Sequence, residues 1–150
     1  MRLSENFSLW ELTKSQVAER KGISNDPGKR EIENLRLLCR HVLQPVRDNY
    51  GLPVQPSSGY RCTALNKAIG SSSRSQHVTG QAVDFEVPRI DNKVVANWIR
   101  DNLVFDQLIL EYYKEGDPTS GWVHVSYVEP SVENRKQAQV YDGRTWKPLE

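Results

Sequence analysis

The longest run of regularly spaced apolar residues lies between residues 32 and 46. Its apolar positions recur at helical intervals with charged residues between them: Ile32, Leu35, Leu38, Val42 and Val46. This pattern predicts an amphipathic helix that buries one face. Pro45 lies inside the pattern and lacks a backbone donor, so we expect a kink or break near Leu43. Gly51 is placed to end the helix.

Three shorter segments are also predicted to be helical. Ser8 and Glu11 have the spacing of a capping box, which predicts a helix that begins at Leu9. Residues 62–69 form a short segment closed by Gly70. The third segment has a potential cap at its start and apolar residues at helical spacing, namely Asp91 followed by Val94, Val95, Trp98, Ile99 and Leu103.

Strands are predicted mainly in the second half of the chain. Four segments have strand character: 54–58, 82–87, 107–113 and 122–127. The last two flank a turn-rich stretch and predict a hairpin with a longer loop, and residues 139–146 predict a small terminal hairpin. The predicted helices lie mainly early in the chain and the predicted strands late. This order predicts an α+β fold, with a small antiparallel sheet packed against several helices. We expect one domain with three parts, a helical N-terminal part, a core and a C-terminal extension: 1–50, 54–127 and 128–150.

The composition fits one globular domain and argues against several classes of protein. The chain has 150 residues, of which 37% are hydrophobic and 26% are charged. Twenty basic and nineteen acidic residues leave a net charge of +1, which argues against a general nucleic-acid binder. No apolar stretch is long enough to span a membrane, and the N-terminus lacks the apolar core of a signal peptide. Because Cys39 and Cys62 are far apart in such a chain, we expect both to be reduced and structural.

Two of the three histidines occur in segments that suggest chemistry. His41 lies beside core positions of the long helix and is interpreted as structural. His77 lies in a loop before the strand that contains Asp84, and His124 lies between two valines in a later strand. Each of the three residues His77, Asp84 and His124 has a structural explanation when taken alone. Together they supply two imidazoles and a carboxylate, and three protein ligands with an open fourth position are how catalytic zinc is held.

A hydrolytic zinc site also needs a group that accepts a proton from water. Glu111 is the candidate because it follows an apolar run, and symmetric pairing of the predicted hairpin places it opposite His124 or the neighbouring residue. Burial there would raise its pKa and suit it to act as a base. A rim carboxylate paired with a lysine is the structural alternative. Glu115, in the turn, is the second candidate base. Arg61 ends the first strand of the core, where it can clamp a carboxylate.

Four separated motifs occur in this order: Asn6-Phe7-Ser8-Leu9-x-Glu11-Leu12, Ser58-Gly59-Tyr60-Arg61, Ser75-x-His77-x-x-Gly80-x-Ala82-x-Asp84 and Gly121-Trp122-Val123-His124-Val125-Ser126. Together they resemble one enzyme family, the zinc D-alanyl-D-alanine carboxypeptidases and dipeptidases. That family includes phage endolysin peptidases and shares its metal pattern with the hedgehog domain. The resemblance implies a zinc peptidase of bacterial cell-wall peptides. It implies His77, Asp84 and His124 as ligands of one Zn²⁺ and Arg61 as a substrate-binding residue, with Ser75 as a second one.

The chain departs from this resemblance at one place. Many relatives have a glutamate three residues before the last histidine or a histidine two residues before it, whereas this chain has Gly121 and Trp122 there. The base must therefore come from elsewhere, and Glu111 is the position that the hairpin supplies.

These observations lead to the hypothesis of a zinc peptidase that hydrolyses peptidoglycan stem peptides or cross-bridges, as a D-Ala carboxypeptidase or an endopeptidase. We expect a monomer from a phage or prophage, synthesised in the host cytoplasm and brought to the wall by a holin or on a virion. Two alternatives stay open. One is a non-catalytic zinc module that binds the cell wall or builds the virion, and the other is an intracellular dipeptidase.

Overall fold

A computed structural model describes all 150 residues of the chain. The helices are α1 (Gln16–Lys21), α2 (Lys29–Leu38), α3 (Gln44–Tyr50), α4 (Thr63–Ala68) and α5 (Asn92–Asn102), with a π-helical turn at Cys39–Leu43 between α2 and α3. The strands are β1 (Arg2–Ser4), β2 (Phe7–Ser8), β3 (Gln55–Ser58), β4 (Ala82–Glu86), β5 (Gln107–Glu111), β6 (Trp122–Ser126), β7 (Gln137–Tyr141) and β8 (Trp146–Pro148). The predicted α+β class is therefore confirmed. None of the helices has the length and apolar character needed to cross a membrane.

The long N-terminal helix is interrupted where Pro45 predicts a break. A proline has no N–H for the α-helical ladder, and the preceding turn widens into the π-helical segment Cys39–Leu43 before α3 begins. Gly51 ends α3 in the left-handed conformation, as expected for a helix C-terminus. Residues on both sides of the break, among them Leu35, Leu38 and Val46, are buried in the same core.

Six strands form the main sheet, in the order β3-β4-β6-β5-β7-β8. All neighbouring pairs are antiparallel except β5 and β7, which run parallel. The terminal hairpin predicted at 139–146 exists as β7 and β8, and it extends the main sheet beyond β5. A separate two-stranded sheet, β1 with β2, lies at the N-terminus.

One face of the sheet is apolar and lies against the helices. The strands contribute alternate residues to the main core, namely Val83, Phe85, Leu108, Leu110, Val123 and Val125. The long helix and α5 supply the opposing residues, among them Leu35, Leu38, Val42, Val95 and Ile99. Because side chains alternate between faces along a strand, the polar residues of the same strands are directed away from this core.

Two details of the prediction are wrong. Ser8 and Glu11 do form the reciprocal bonds of a capping box, but the residues after Ser8 form turns, and α1 begins at Gln16 with Ser15 as its cap. The symmetric register expected for the β5–β6 hairpin is offset by one residue, so that Glu111 lies opposite Trp122, and Ile109 lies opposite His124.

The offset in the β5–β6 hairpin has a local cause. Tyr112 and Gly121 both adopt positive φ, at 55° and 65°, where the strands leave the regular ladder. A Cβ at Gly121 would collide with the carbonyl oxygen of Glu111, so this close approach requires glycine. Symmetric pairing would have placed Glu111 opposite Val123, which faces the core. The offset therefore decides which face of the sheet carries the Glu111 carboxylate.

Candidate metal centre

The metal-site candidates meet on the polar face of the sheet, at the neighbouring strands β4 and β6. Asp84 of β4 lies directly opposite His124 of β6. Their sequence neighbours Val83, Phe85, Val123 and Val125 face the core, so strand alternation directs Asp84 and His124 to the other side. The pairing of Asp84 with His124 on two largely apolar strands thus creates the first part of the site.

His77 joins this pair from the loop between α4 and β4. Its side chain is only 3% exposed, and its Nδ1 lies 2.7 Å from the carbonyl oxygen of Gly59. A carbonyl oxygen can only accept, so Nδ1 carries the proton and Nε2 keeps its lone pair. Nε2 lies 3.5 Å from Oδ2 of Asp84. The Gly59 carbonyl therefore fixes both the orientation and the tautomer of His77.

Asp84 lies between the two imidazoles. Nδ1 of His124 is 2.8 Å from Oδ1 of Asp84, on the other side of the carboxylate from His77. Burial alone would raise the pKa of Asp84, but the hydrogen bond from His124 and the nearby His77 imidazole outweigh it and hold the pKa well below its usual range. The carboxylate is therefore ionised at neutral pH, which is the form that binds a cation.

The three side chains fit a single divalent metal ion. One potential ligand atom from each of them lies within 4.8 Å of the others. Two imidazole nitrogens and one carboxylate oxygen are a donor set that zinc prefers, whereas calcium and magnesium favour oxygen ligands in larger number. The bond from His77 to Gly59 is the kind of outer contact that usually accompanies a metal-bound histidine.

Glu111 lies on the same face as His124. It is opposite Trp122, two residues before His124, and is partly buried at the end of β5. Burial and the negative charge of Asp84 raise the pKa of Glu111, while His124, the Trp122 indole and Arg61 limit the rise. Glu115, by contrast, is 76% exposed in the turn and forms a salt bridge with Lys93. The sequence also allowed Glu111 to be a surface carboxylate paired with a lysine. In the structure, Glu115 forms such a pair.

Arg61 approaches the site from the end of β3. Its backbone N–H donates to the carbonyl of His77 at 3.0 Å, and its guanidinium is 3.5 Å from Oγ of Ser75. Burial lowers the pKa of Arg61, and the charges of Asp84 and Glu111 oppose that effect. Its Nε is buried with no protein acceptor. The guanidinium therefore retains donor capacity beside the two carboxylates.

The remaining predicted residues lie outside the site. His41 stacks on Tyr127, with ring centroids 4.6 Å apart. Cys39 and Cys62 are both free, and burial raises the pKa of Cys39 to about 12. Cys62 instead caps α4, because its Sγ accepts from the backbone of Leu65 at 3.4 Å.

Two groups that hold the site in place were not predicted from the sequence. The first is the Gly59 carbonyl, since no side chain marks it. The second is Asp106, which is buried before β5 and accepts from Gln76 at 2.9 Å and from Arg135 at 2.8 Å. Gln76 directly precedes His77, so Asp106 ties the His77 loop to the segment before β7. The only indication of this role in the sequence is that Asp106 directly precedes an apolar strand.

Comparison with known proteins supports the chemistry of this arrangement. A search of curated proteins found no match. The profile of the family described as Peptidase M15 matches residues 5–126, which include every motif of the site. The matched region ends before β7 and β8. From the extent of this match and the residues it spans, the chain belongs to the Peptidase M15 family of zinc-dependent metallopeptidases.

Proposed function

We propose that this protein hydrolyses peptide bonds in bacterial peptidoglycan, either at the D-Ala terminus of stem peptides or within stem peptides and cross-bridges. One observation carries the proposal. Glu111 lies on the face of the sheet that carries Asp84 and His124, and Arg61, whose Nε has no protein acceptor, bonds through its backbone N–H to His77. Acid–base and anion-binding groups next to a metal-binding group are the requirements of peptide hydrolysis.

Each residue has a distinct role in this proposal. When bound, zinc supplies a Lewis acid that polarises the scissile carbonyl and acidifies water. Glu111 accepts the proton of the attacking water on its carboxylate and delivers it to the leaving amine. Its raised pKa makes the protonated form more accessible than that of an ordinary glutamate. The Gly59 carbonyl, which is not itself a ligand, holds the His77 ring in a fixed orientation.

Arg61 is proposed to bind a carboxylate of the substrate, with Ser75 as its neighbour on the protein side. A groove of about 640 Å³ has Arg61, Ser57, Ser58 and Lys14 in its walls, whereas Glu111 and the metal-binding group do not line it. This volume suits an extended peptide better than a single amino acid. Stem peptides contain several free carboxylates, which match the basic groups around the groove.

The proposed setting is a phage or prophage lysis protein. In this setting the protein is made in the host cytoplasm, acts as a monomer and reaches the wall through a holin or on a virion. The alternative of a non-catalytic wall-binding or virion module is favoured by the residues at Gly121 and Trp122, where many relatives carry a glutamate or histidine. The position of Glu111 on the metal face argues for an enzyme.

Digestion of purified peptidoglycan tests the proposal. Zinc-loaded protein should release fragments whose new termini, read by mass spectrometry, identify the bond that is cut. Protein treated with a chelator should release none, and added zinc should restore the activity. Unchanged peptidoglycan after incubation with the zinc-loaded protein would contradict the proposal and favour the non-catalytic module.

A further inference from the structure

Four aromatic side chains form a continuous row beside Glu111, and the row is made of Tyr112, Trp122, Tyr141 and Trp146. Ring centroids are 5.2 Å apart for Tyr112 and Trp122, 5.9 Å for Tyr112 and Tyr141, and 4.3 Å for Tyr141 and Trp146. The row begins two residues from His124 and ends on the edge strand β8.

The register places this aromatic row on the metal face of the sheet. Glu111 is paired with Trp122 on one side and with Tyr141 on the other, and Tyr141 is paired with Trp146. Paired residues on neighbouring strands share a face. In β7, Ala138 and Val140 pack on the core, so Tyr141 is directed to the opposite face. The row thus continues the surface on which His124 and Glu111 lie.

Tyr112 joins the row through an unusual backbone conformation. Strand alternation would direct its side chain to the face opposite Glu111, but Tyr112 has a φ of 55° and its ring contacts both Trp122 and Tyr141. A large aromatic residue seldom adopts positive φ, and such strain is concentrated at functional sites. The ring also lies over Gly143, where a Cβ would approach it to 2.8 Å.

Two rings of the row are exposed to solvent, and the other two are partly buried. Tyr112 is 46% exposed and Trp146 is 51% exposed, and the four strands that carry the row span roughly 14 Å at the usual strand spacing. Clusters of exposed apolar groups next to a site commonly bind ligands. The row carries no charged side chain of its own, so its ligand presents an uncharged surface that combines apolar faces with polar edges.

We propose that this aromatic row binds the glycan strand of peptidoglycan, and this inference rests on the proposed function. A pyranose ring has an apolar face of polarised C–H bonds, which matches the negative face of an aromatic ring. A row of this length accommodates a short oligosaccharide rather than one sugar. Because the row starts beside Glu111, a glycan bound there places its attached stem peptide next to the metal ligands. Trp146 and Tyr141 lie beyond the region matched by the family, so the C-terminal hairpin contributes two of the four aromatic rings.

Calorimetry with soluble, peptide-free glycan strands tests the inference without catalysis. Wild-type protein should bind them, and Trp146→Leu, which keeps apolar bulk against Tyr141, should bind about fivefold to tenfold more weakly. Trp146→Phe should recover most of the affinity because it restores an aromatic face. Val94→Ala is the matched control: Val94 is 51% exposed on α5, which lies on the other face of the sheet. Circular dichroism verifies that each variant is folded.

Kinetics separate this inference from the proposed function. We compare kcat/KM on glycan-linked peptide with kcat/KM on the same peptide without sugar. In Trp146→Leu the ratio of the two should fall by the same factor as the glycan affinity, because KM for the glycan-linked peptide rises. Cleavage of free peptide with an unchanged ratio would overturn the glycan inference alone. Absence of any cleavage would overturn the proposed function, while calorimetry would still decide the inference. The glycan inference would also be overturned if the wild-type protein bound no glycan. The same holds if the Trp146 variants changed only self-association, measured by light scattering.

Discussion

At the residue scale, the position of Glu111 has the most direct consequence for activity. Glu111→Gln keeps the size of the side chain but cannot accept a proton, so we expect peptidoglycan hydrolysis to fall by at least about a hundredfold with little change in substrate binding. Zinc content and fold should be unchanged. The measurement is steady-state hydrolysis by zinc-loaded protein.

Glu115→Gln is the matched control for this substitution. Glu115 is 76% exposed and pairs with Lys93, so its variant should stay within a few-fold of wild type. Normal turnover of zinc-loaded Glu111→Gln would contradict the assigned role. A loss found only in Glu115→Gln would assign the role of base to that residue.

Asp106 gives a prediction about pH and stability. Hydrogen bonds from Arg135 exceed the effect of burial and lower the pKa of Asp106 to about 2. A carboxyl group with a depressed pKa in the folded state stabilises the protein above its unfolded pKa, near 3.9, and this stabilisation is lost as the pH falls from about 4 towards 2. Asp106→Asn should therefore lower the free energy of unfolding by about 1–2 kcal/mol at pH 7.

Denaturant unfolding at several pH values tests the role of Asp106. The difference between wild type and Asp106→Asn should be constant above about pH 5 and should shrink below about pH 4. Arg135→Gln should reproduce part of the loss, because it removes the main donor. A difference that persists unchanged at pH 2 would contradict the ion-pair explanation.

At this scale the sequence predicts which three residues form the candidate ligand set, but it does not predict their orientation. An aspartate and a histidine in apolar strand segments are costly to bury without a partner, and together with the histidine of the preceding loop they indicate a zinc site. The tautomer of His77 depends on the Gly59 carbonyl, and backbone groups leave no residue-specific signal in a sequence. The network of Asp106 was missed for a similar reason, since its partners Gln76 and Arg135 are distant in sequence.

At the element scale, the segment after β3 holds the loop that contains His77 in place. The Gly59 carbonyl bonds to His77, and the next two residues, Tyr60 and Arg61, donate backbone bonds to Leu12 and His77. A Cβ at Gly59 would collide with the Leu12 carbonyl oxygen. Gly59→Ala should displace this segment, with a loss of about 1–3 kcal/mol in stability and roughly tenfold to hundredfold weaker zinc binding.

Competition with a chelator of known affinity measures the zinc binding of Gly59→Ala. The control is Gly28→Ala, whose Cβ would meet only the flexible carboxylate of Glu31 at 3.0 Å, away from the site. Gly28→Ala should bind zinc as wild type does. Wild-type affinity in Gly59→Ala would show that the carbonyl contact with His77 is dispensable.

Helices and strands were mostly predictable, but their connections at turns were not. Apolar periodicity marked the long helix and α5 clearly, and Pro45 marked the break. The helix expected at Leu9 fails because the capping bonds of Ser8 and Glu11 close only a set of turns. The register of the β5–β6 hairpin depends on positive φ at Tyr112, which residue type alone does not indicate.

At the scale of the whole molecule, the residues that stabilise the fold and the residues of the candidate site lie on opposite faces of the sheet. One face holds the apolar core against the helices, and the other face carries the residues His124, Asp84 and Glu111. The order of the strands was beyond prediction, because the parallel pairing of β5 with β7 joins segments that are distant in the chain. This pairing adds the C-terminal hairpin to the sheet and lengthens the face beside the metal site.

The central claim is that His77, Asp84 and His124 hold one zinc ion, and zinc content tests it most directly. Protein purified without chelator should contain about one equivalent of zinc by elemental analysis. His77→Ala and His124→Ala should lose most of it, whereas His41→Ala should keep it, because His41 only stacks on Tyr127. A full equivalent of zinc in folded His124→Ala protein, or none in the wild type, would contradict the account.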